Sequence, residues 1–436
     1  MTKTDGTIAL FWFRRDLRLE DNVGLFHALK SGHSVLPVFI LDKNILGMLE
    51  ERHDRRLSFI HGALEALQER IAATGSSLLV LHGTPEEAMR QLIAEYDVRA
   101  VYANRDYEPY AVERDRQIGL MLEKSGVPFH TLKDQVIFEK NEVVKSDGTP
   151  YTVFTPYSKA WKKKLTQGEL ILSPSEQLMG NFLKTGPLPL PTLEALGFTR
   201  TDMLFKPPEI NTGIIAGYHK TRNIPSIEGT TRLGIHLRFG TVSIRRLVAA
   251  AIPLSEVWLN ELIWREFFMS ILWHFPHVVD NSFKKKYDNI SWRNNEEEFE
   301  RWCNGMTGYP IVDAGMRELN ATGFMHNRVR MITAGFLTKH LLIDWRWGEA
   351  YFAARLLDYE LSSNNGNWQW SSGSGCDAAP YFRVFNPSEQ TRKFDPDLVY
   401  VRRWVPEHET PDYPRMVVDH ALARERALKT YREGIR

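Results

Sequence analysis

Cysteine is nearly absent from this chain: Cys303 and Cys376 are the only two among 436 residues. Two thiols cannot build a disulfide framework or a cysteine-based zinc site, so both read as buried apolar fillers, and no metal is expected. Long apolar runs are also missing, and no basic n-region with an apolar stretch behind it opens the chain. A membrane span and an export signal are therefore not expected, and the cytoplasm is the expected compartment. Nor does one sign of charge dominate, since 55 Lys and Arg face 54 Asp and Glu for a formal net charge of +1. That balance excludes a protein coated in positive charge for nucleic acid, so any DNA binding must use a local patch. No G-x-G-x-x-G or Walker loop occurs, which leaves a standard dinucleotide or P-loop reading unsupported. Internal repeats and a low-complexity tail are lacking as well.

What is present is a globular composition, 43% hydrophobic and 25% charged, in a chain long enough for two domains. The first part alternates short apolar runs with longer amphipathic ones. Ile8 to Phe13, Val35 to Leu41, Leu78 to Leu81 and Ala100 to Ala103 read as buried strands. Arg55 to Thr74, Pro85 to Tyr96 and Tyr110 to Ser125 show helical spacing, and Thr84 before Pro85 is an N-cap signal. Crossovers of this length imply a parallel, doubly wound, Rossmann-like α/β sheet, which holds ligands beyond the carboxyl ends of its strands. From Lys133 to Pro208 the pattern breaks down; Gly186 to Pro191 and Pro207-Pro208 fit neither helix interiors nor central strands. Helical spacing dominates after that. The expected organisation is an α/β domain over 1–132, a connector over 133–208 and an all-α domain over 209–436.

Tryptophan is crowded into the last part: ten of twelve lie between Trp258 and Trp404. A well-packed core would explain that, but indole also stacks on planar rings and passes single electrons. On a helix, Trp258, Glu261, Trp264 and Arg265 fall on one side. The bland interpretation is an intrahelical ion pair; the functional one is a planar, polar-edged ligand. A second helix is expected from about Asp313 to Leu342, with Asn327, Arg330 and Met331 on one face and Arg328 pointing elsewhere, toward a phosphate. His326 reads as a structural histidine rather than a base. Leu357 to Trp370 reads as a polar loop carrying Asp358, Glu360, Asn364, Trp368 and Trp370, whose indoles something must cover. Between Tyr218 and Arg246, six cations (Lys220, Arg222, Arg232, Arg238, Arg245, Arg246) face one acid, Glu228, a run that is usually a solvated face and otherwise a phosphate-binding patch. Inside it, Thr230 and Thr231 stand at an expected helix start suited to a diphosphate.

Four segments carry a family resemblance: Phe11 to Asn22, Thr307 to Ala314, Met325 to Met331 and Asn364 to Trp370. In this order they resemble photolyases and cryptochromes over nearly the whole chain, and are most similar to class I cyclobutane pyrimidine dimer photolyases of bacteria. The resemblance implies an antenna domain, a connector and a helical FAD domain. It implies FAD phosphates at Tyr218 and at Thr230, Thr231, Arg232, Leu233 and Gly234, where many relatives have Ser in place of Gly234. Around the rest of the cofactor it implies Trp258, Glu261, Arg265, Asn327, Arg330, Asp358, Glu360 and Asn364, with Arg330 and Asp358 against the isoalloxazine and Asn364 facing N5. Glu261, Trp264, Asn327, Met331 and Trp370 would meet the flipped dimer, and Arg222, Arg328, Arg383 and Lys393 the DNA phosphates. Trp368, Trp345 and Trp292 match a relay that reduces the flavin from the surface.

The activity so implied is a carbon–carbon lyase reaction. Reduced anionic FAD gives a light-excited electron to a flipped pyrimidine dimer, the ring splits, and the electron returns. Glu261, Asn364, Arg330 and Asp358 would be the catalytic group. Damaged DNA is the expected partner, with no membrane, no obligate protein partner and a monomeric state. A cryptochrome photoreceptor is the rival; Asn364, where signalling relatives often have Asp or Cys, and the lack of a long polar tail oppose it. A (6-4) photolyase would have histidines at Asn327 and Met331. A DASH-type cryptochrome would lack the aromatic at Trp370 or differ across Met325 to Met331. An antenna chromophore of open identity completes the expectation. Folate fits poorly, because Val278 and Val279 follow His277 where Cys and Lys would be wanted, although Glu113 lies near a folate position of some relatives.

Overall fold

The computed structural model describes residues 6–436. Five parallel strands, β1 Thr7–Phe13, β2 Ser34–Asp42, β3 Leu79–Gly83, β4 Asp97–Asn104 and β5 Phe129–Leu132, form one sheet in the order β3-β2-β1-β4-β5. Four of these are the expected strands, each longer by a residue or more. The last, Phe-His-Thr-Leu, was too short and too polar to stand out. Helices Arg55–Ala72, Pro85–Glu95 and Pro109–Lys124 connect the strands where the spacing places them. Thr84 caps the second of these in a reciprocal box: Glu87 N–H donates to Thr84 Oγ1 at 3.2 Å and Thr84 N–H to Glu87 Oε2 at 3.0 Å. Apolar residues on both faces of the sheet make two cores, as a helix-covered parallel sheet requires.

Chain contacts divide the molecule into two units. One holds the chain up to Glu139 with Leu165–Ile210 and Leu233–Ala250; the other holds Lys140–Lys164, Asn211–Arg232 and Ala251–Arg436. In the first unit the carboxyl ends of β1 and β4, where the strand order reverses, carry ion pairs. Arg14 binds Asp115 at 2.5 Å, Arg15 binds Asp106 and Glu108 at 3.1 Å, and Arg238 binds Glu108 at 2.7 Å.

The second unit is helical, and two expectations about its helices need correction. The stretch from Asp313 to Leu342 is not one helix. Pro310–Thr322 ends at Gly323, whose φ of +71° suits glycine. A Cβ there would also lie 2.7 Å from the side chain of Leu357. A new helix, Asn327–Gly335, starts behind the His326 cap and runs into a π-helical turn, Phe336–Leu341. The second correction concerns Leu357 to Trp370, read as a loop. Leu361–Ser372 is an α-helix. Its Asn, Ser and Gly residues favour turns in isolation because their side chains compete for local backbone groups. Here tertiary partners occupy several of them: Asn365 and Gln369 donate to Val278 O at 2.8 and 2.9 Å. Gly366 faces Phe268 so closely that a Cβ would lie 2.2 Å from the ring. A further helix, Phe154–Lys164, lies within the stretch read as connector.

Both thiols are held protonated by burial, Cys303 pushed up to about 12 and Cys376 up to about 11. Among the described residues no helix is long and apolar enough to cross a membrane.

Candidate functional site

Helices Asn327–Gly335 and Leu361–Ser372, with the segment before the latter, wall a partly open cavity. Asn327, Arg330, Met331, Asp358, Glu360, Asn364, Trp368 and Trp370 all line it, so eight of the expected site residues converge. One turn of helix separates Asn327 from Arg330 and Met331, which puts them on a common face as the spacing required. Arg330 grips Asp358 with Nη2 at 3.1 and 2.9 Å from the two carboxylate oxygens, and its Nε donates to Met325 O at 2.7 Å. Asn364 points its amide nitrogen away from the cavity, at Glu349 O (3.1 Å) and Glu349 Oε1 (2.9 Å), which leaves the amide oxygen for whatever enters. Burial raises the Glu349 carboxyl above its ordinary range, against the lowering effect of that Asn364 bond.

Helix Glu256–His274 supplies the next layer. Arg265 reaches Glu360 on the cavity wall at 3.0 Å. Glu261 does not line the cavity; Arg222 holds it at 2.7 Å. Burial raises the Glu261 carboxyl, and Arg222 pulls it down. The Tyr218 ring lies under Arg222 at 5.3 Å, and its phenol is raised by burial first and by Glu261 second. Trp258 is buried. Trp264 stacks on Phe154 at 3.7 Å with the rings 4° from parallel and also packs on Phe268 at 5.4 Å and Phe267 at 5.6 Å, yet it stays half-buried.

Three of the four cations expected at phosphates gather in one region. Arg328 and Lys393 both lie on the Phe394 ring, at 4.3 and 5.3 Å, and Arg328 donates to Asn223 Oδ1 at 2.7 Å. Arg222 is near enough to help burial lower the Arg328 guanidinium. Arg383 is exposed in a turn whose N–H bonds Pro380 O at 2.9 Å. The basic run as a whole is not a continuous face. Arg238 and Arg245 are consumed by ion pairs in the α/β unit, whereas Lys220 and Arg246 are exposed.

The expected diphosphate segment differs from its helix-start reading. Thr230 and Thr231 precede the helix, which begins at Gly234 behind Leu233, and neither caps it. Arg232 takes a left-handed conformation at φ +51° and lies over Phe324 at 4.6 Å. His326 is the N-cap of its helix, accepting from Arg328 N–H at 3.2 Å. Burial, then Arg330, Arg328 and Arg232, lower it to about 4. Of the three relay indoles, Trp368 and Trp345 are buried and Trp292 is half-buried against the same core.

Glu349 was missed, and its signal was available: it lies four residues after Trp345 on the face turned to Leu361–Ser372. Phe154 was missed because it stands in a stretch whose prolines masked the helix.

A planar heterocycle with polar edges suits this donor set. A guanidinium–carboxylate pair and an amide oxygen supply edge contacts, and Phe352 and Trp368 supply apolar wall. FAD fits those residues. Two family models match the chain: DNA photolyase over residues 9–177, and FAD binding domain of DNA photolyase over residues 258–411. A relative named deoxyribodipyrimidine photo-lyase, from Synechococcus sp., is 38% identical, with 97% of this chain and 96% of that protein covered. Among solved structures, a class III photolyase from Agrobacterium tumefaciens matches with a TM-score of 0.85 and 33% identity, over 99% of this chain and 98% of that one. A Synechocystis cryptochrome matches with a TM-score of 0.84 and 27% identity, over 98% and 100%.

Proposed function

This chain belongs to the DNA photolyase family, and from that premise we propose that it splits cyclobutane pyrimidine dimers flipped out of DNA into its helical unit. It is a light-dependent DNA-repair enzyme that uses FAD, and damaged DNA is its partner. The observation that carries the finer reading is the cavity in which Arg330–Asp358, Asn364, Trp368 and Trp370 meet.

Bound reduced FAD supplies the light-driven electron that opens the cyclobutane ring. The residues supply position and charge. Arg330 and Asp358 would hold the edge of the isoalloxazine, and the Asn364 amide would supply a polar contact to it. Arg265 steadies Glu360 on the same wall. Tyr218, Thr230, Thr231, Arg232, Leu233 and Gly234 hold the phosphates, and Trp258 packs near the rest of the cofactor. Asn327, Met331 and Trp370 line the lesion side, and Trp264 offers its exposed part. Glu261 hydrogen-bonds the dimer and stabilises charge that develops on it. A dimer within a duplex cannot reach a buried cofactor, so extrusion is required, and damage lowers its cost. Arg222, Arg328, Lys393 and Arg383 bind backbone phosphates, which give position without sequence preference. Trp368, Trp345 and Trp292 would supply the aromatic path by which electrons reach the cofactor.

The test is direct. Flavin-loaded protein, reduced in the dark, is mixed with dimer-bearing DNA and lit with blue light. Dimers are expected to disappear; if they persist, the repair reading fails and the cryptochrome alternative is favoured. The domain limits of 1–132, 133–208 and 209–436 belong to the same proposal, as do a monomeric state, the lack of an obligate protein partner, a cytoplasmic location and an antenna chromophore identified by the absorbance and mass of released pigment.

A further inference from the structure

Trp264 is held in a frame of rings. Phe154 lies 3.7 Å from it and 4° from parallel, Phe268 packs at 5.4 Å, and Phe267 meets it edge-on at 5.6 Å. The frame is itself fixed. Phe268 is buried and sits so near Gly366 that a Cβ there would lie 2.2 Å from its ring. Phe154 opens the helix Phe154–Lys164, which is tied to Glu256–His274 by side-chain bonds. Ser158 Oγ donates to Asn260 Oδ1 at 3.3 Å, Trp161 Nε1 to Glu266 Oε1 at 2.5 Å, and Lys162 Nζ to Glu256 Oε1 at 2.6 Å. An N–H in a first helical turn has no acceptor inside its own helix. The N–H of Phe154 finds one far along the chain, donating to Asp377 Oδ2 at 3.0 Å. The functional reading above uses neither Phe154 nor Asp377.

We propose that Phe154 is a positioning residue for lesion recognition, and that Asp377 sets its place. The inference rests on the reading of Trp264 as an indole that packs on the flipped dimer. A half-buried indole can swing about its side-chain torsions, and each rotamer turns a different edge toward a ligand. The parallel Phe154 ring removes that freedom before DNA arrives, so the indole is ordered in folding rather than in binding. Phe154 acts through Trp264 and needs no contact with the dimer. Phosphate contacts give affinity for any DNA, damaged or not. Loss of the stack should therefore be felt by dimer-bearing DNA and not by undamaged DNA. Asp377 acts one step further back, because its carboxylate fixes the backbone from which the Phe154 ring projects.

The experiment uses the full-length, flavin-loaded chain in the dark, with a labelled duplex carrying one thymine dimer and the same duplex undamaged. Binding is read by fluorescence anisotropy at one salt concentration. Phe154→Leu is expected to weaken binding of the dimer duplex about 2- to 10-fold and to leave the undamaged duplex unchanged. Phe154→Tyr keeps the stack and should bind both like the unaltered chain. In a cycle with Trp264→Ala, the double variant should bind the dimer duplex no more weakly than Trp264→Ala alone. Asp377→Ala should lose dimer affinity in the same sense by a smaller factor, and Asp377→Asn, which keeps an acceptor, should restore it. If Phe154→Leu fails to fold, the Asp377 pair carries the test. The proposal is overturned if Phe154→Leu binds the dimer duplex normally, weakens both duplexes alike, or adds its full loss to that of Trp264→Ala. For the Asp377 pair, an equal loss on both duplexes or no loss at all overturns it. Should Trp264→Ala itself bind the dimer duplex like the unaltered chain, the reading of Trp264 fails and the proposal with it, a result distinct from the others.

Discussion

In the α/β unit, buried charges close on one another. Arg18 and Arg245 share Asp134 at 2.7 and 2.8 Å, and Arg245 also holds Asp21 at 2.8 Å, with all four side chains almost fully enclosed. In the helical unit, the pairs Arg330–Asp358 and Arg222–Glu261 have comparable lengths, 2.9 and 2.7 Å, yet each partner stays a fifth to a third exposed. A saturated network has no valence left for a ligand and can only fix geometry. A half-open pair keeps donors and acceptors that a cofactor or substrate can engage. The difference separates scaffold from site more sharply than the count of charges does.

The largest effect that would break this contrast lies in the scaffold. Asp134→Ala strands two buried guanidiniums and is expected to destabilise the fold by about 3–5 kcal/mol, read by urea unfolding. Burial pushes the Asp134 carboxyl up, but Arg18 and Arg245 hold it below its ordinary value. Its contribution is therefore present above that ordinary value and lost as pH falls, so the variant should also lose part of the acid sensitivity. A change under about 1 kcal/mol would show that the network is not saturated as described.

Next comes Glu261→Ala. Its half-open pair contributes little to folding, about 1 kcal/mol or less. Repair by reduced enzyme is expected to fall about 10²-fold with flavin retained, measured as dimers split per absorbed photon. Normal repair would remove Glu261 from the catalytic group. Smaller still is the effect of Arg328→Ala. Each lost phosphate contact should lower the slope of log affinity against log salt by about 1, uniformly across sequences. An unchanged slope would place Arg328 in packing against Phe394 alone.

Much of the scaffold was legible because apolar runs of strand length alternate with amphipathic stretches, and because Thr84, Pro85 and Glu87 mark a helix start unambiguously. Less of the site was. The spacing of Asn327, Arg330 and Met331 carried their common face, but Leu361–Ser372 contradicts local propensity. Its helix depends on Val278 and Phe268, residues distant in sequence that no window contains. Gly323 likewise looks like one weak position inside a helical pattern, and only its left-handed backbone reveals a break. Partners were the least legible: Arg265 and Glu261 share a helix face, yet each binds a residue elsewhere, Glu360 and Arg222.

The smallest expected effect sharpens the comparison by sign rather than size. Burial raises Glu349, and the bond from Asn364 only partly counters it. A carboxyl raised on folding stabilises below its ordinary value, and that contribution is lost as pH rises through the folded value, the reverse of Asp134. Glu349→Gln keeps an oxygen to accept from Asn364 but cannot ionise. It should therefore be more stable than the unaltered chain at about pH 8 and equal to it at about pH 4, by urea midpoints at both. Asp134→Asn should show the opposite ordering, with its deficit largest at the higher pH. If both variants shift the same way with pH, the opposite signs assigned to the ion-paired Asp134 and the amide-bonded Glu349 would be wrong.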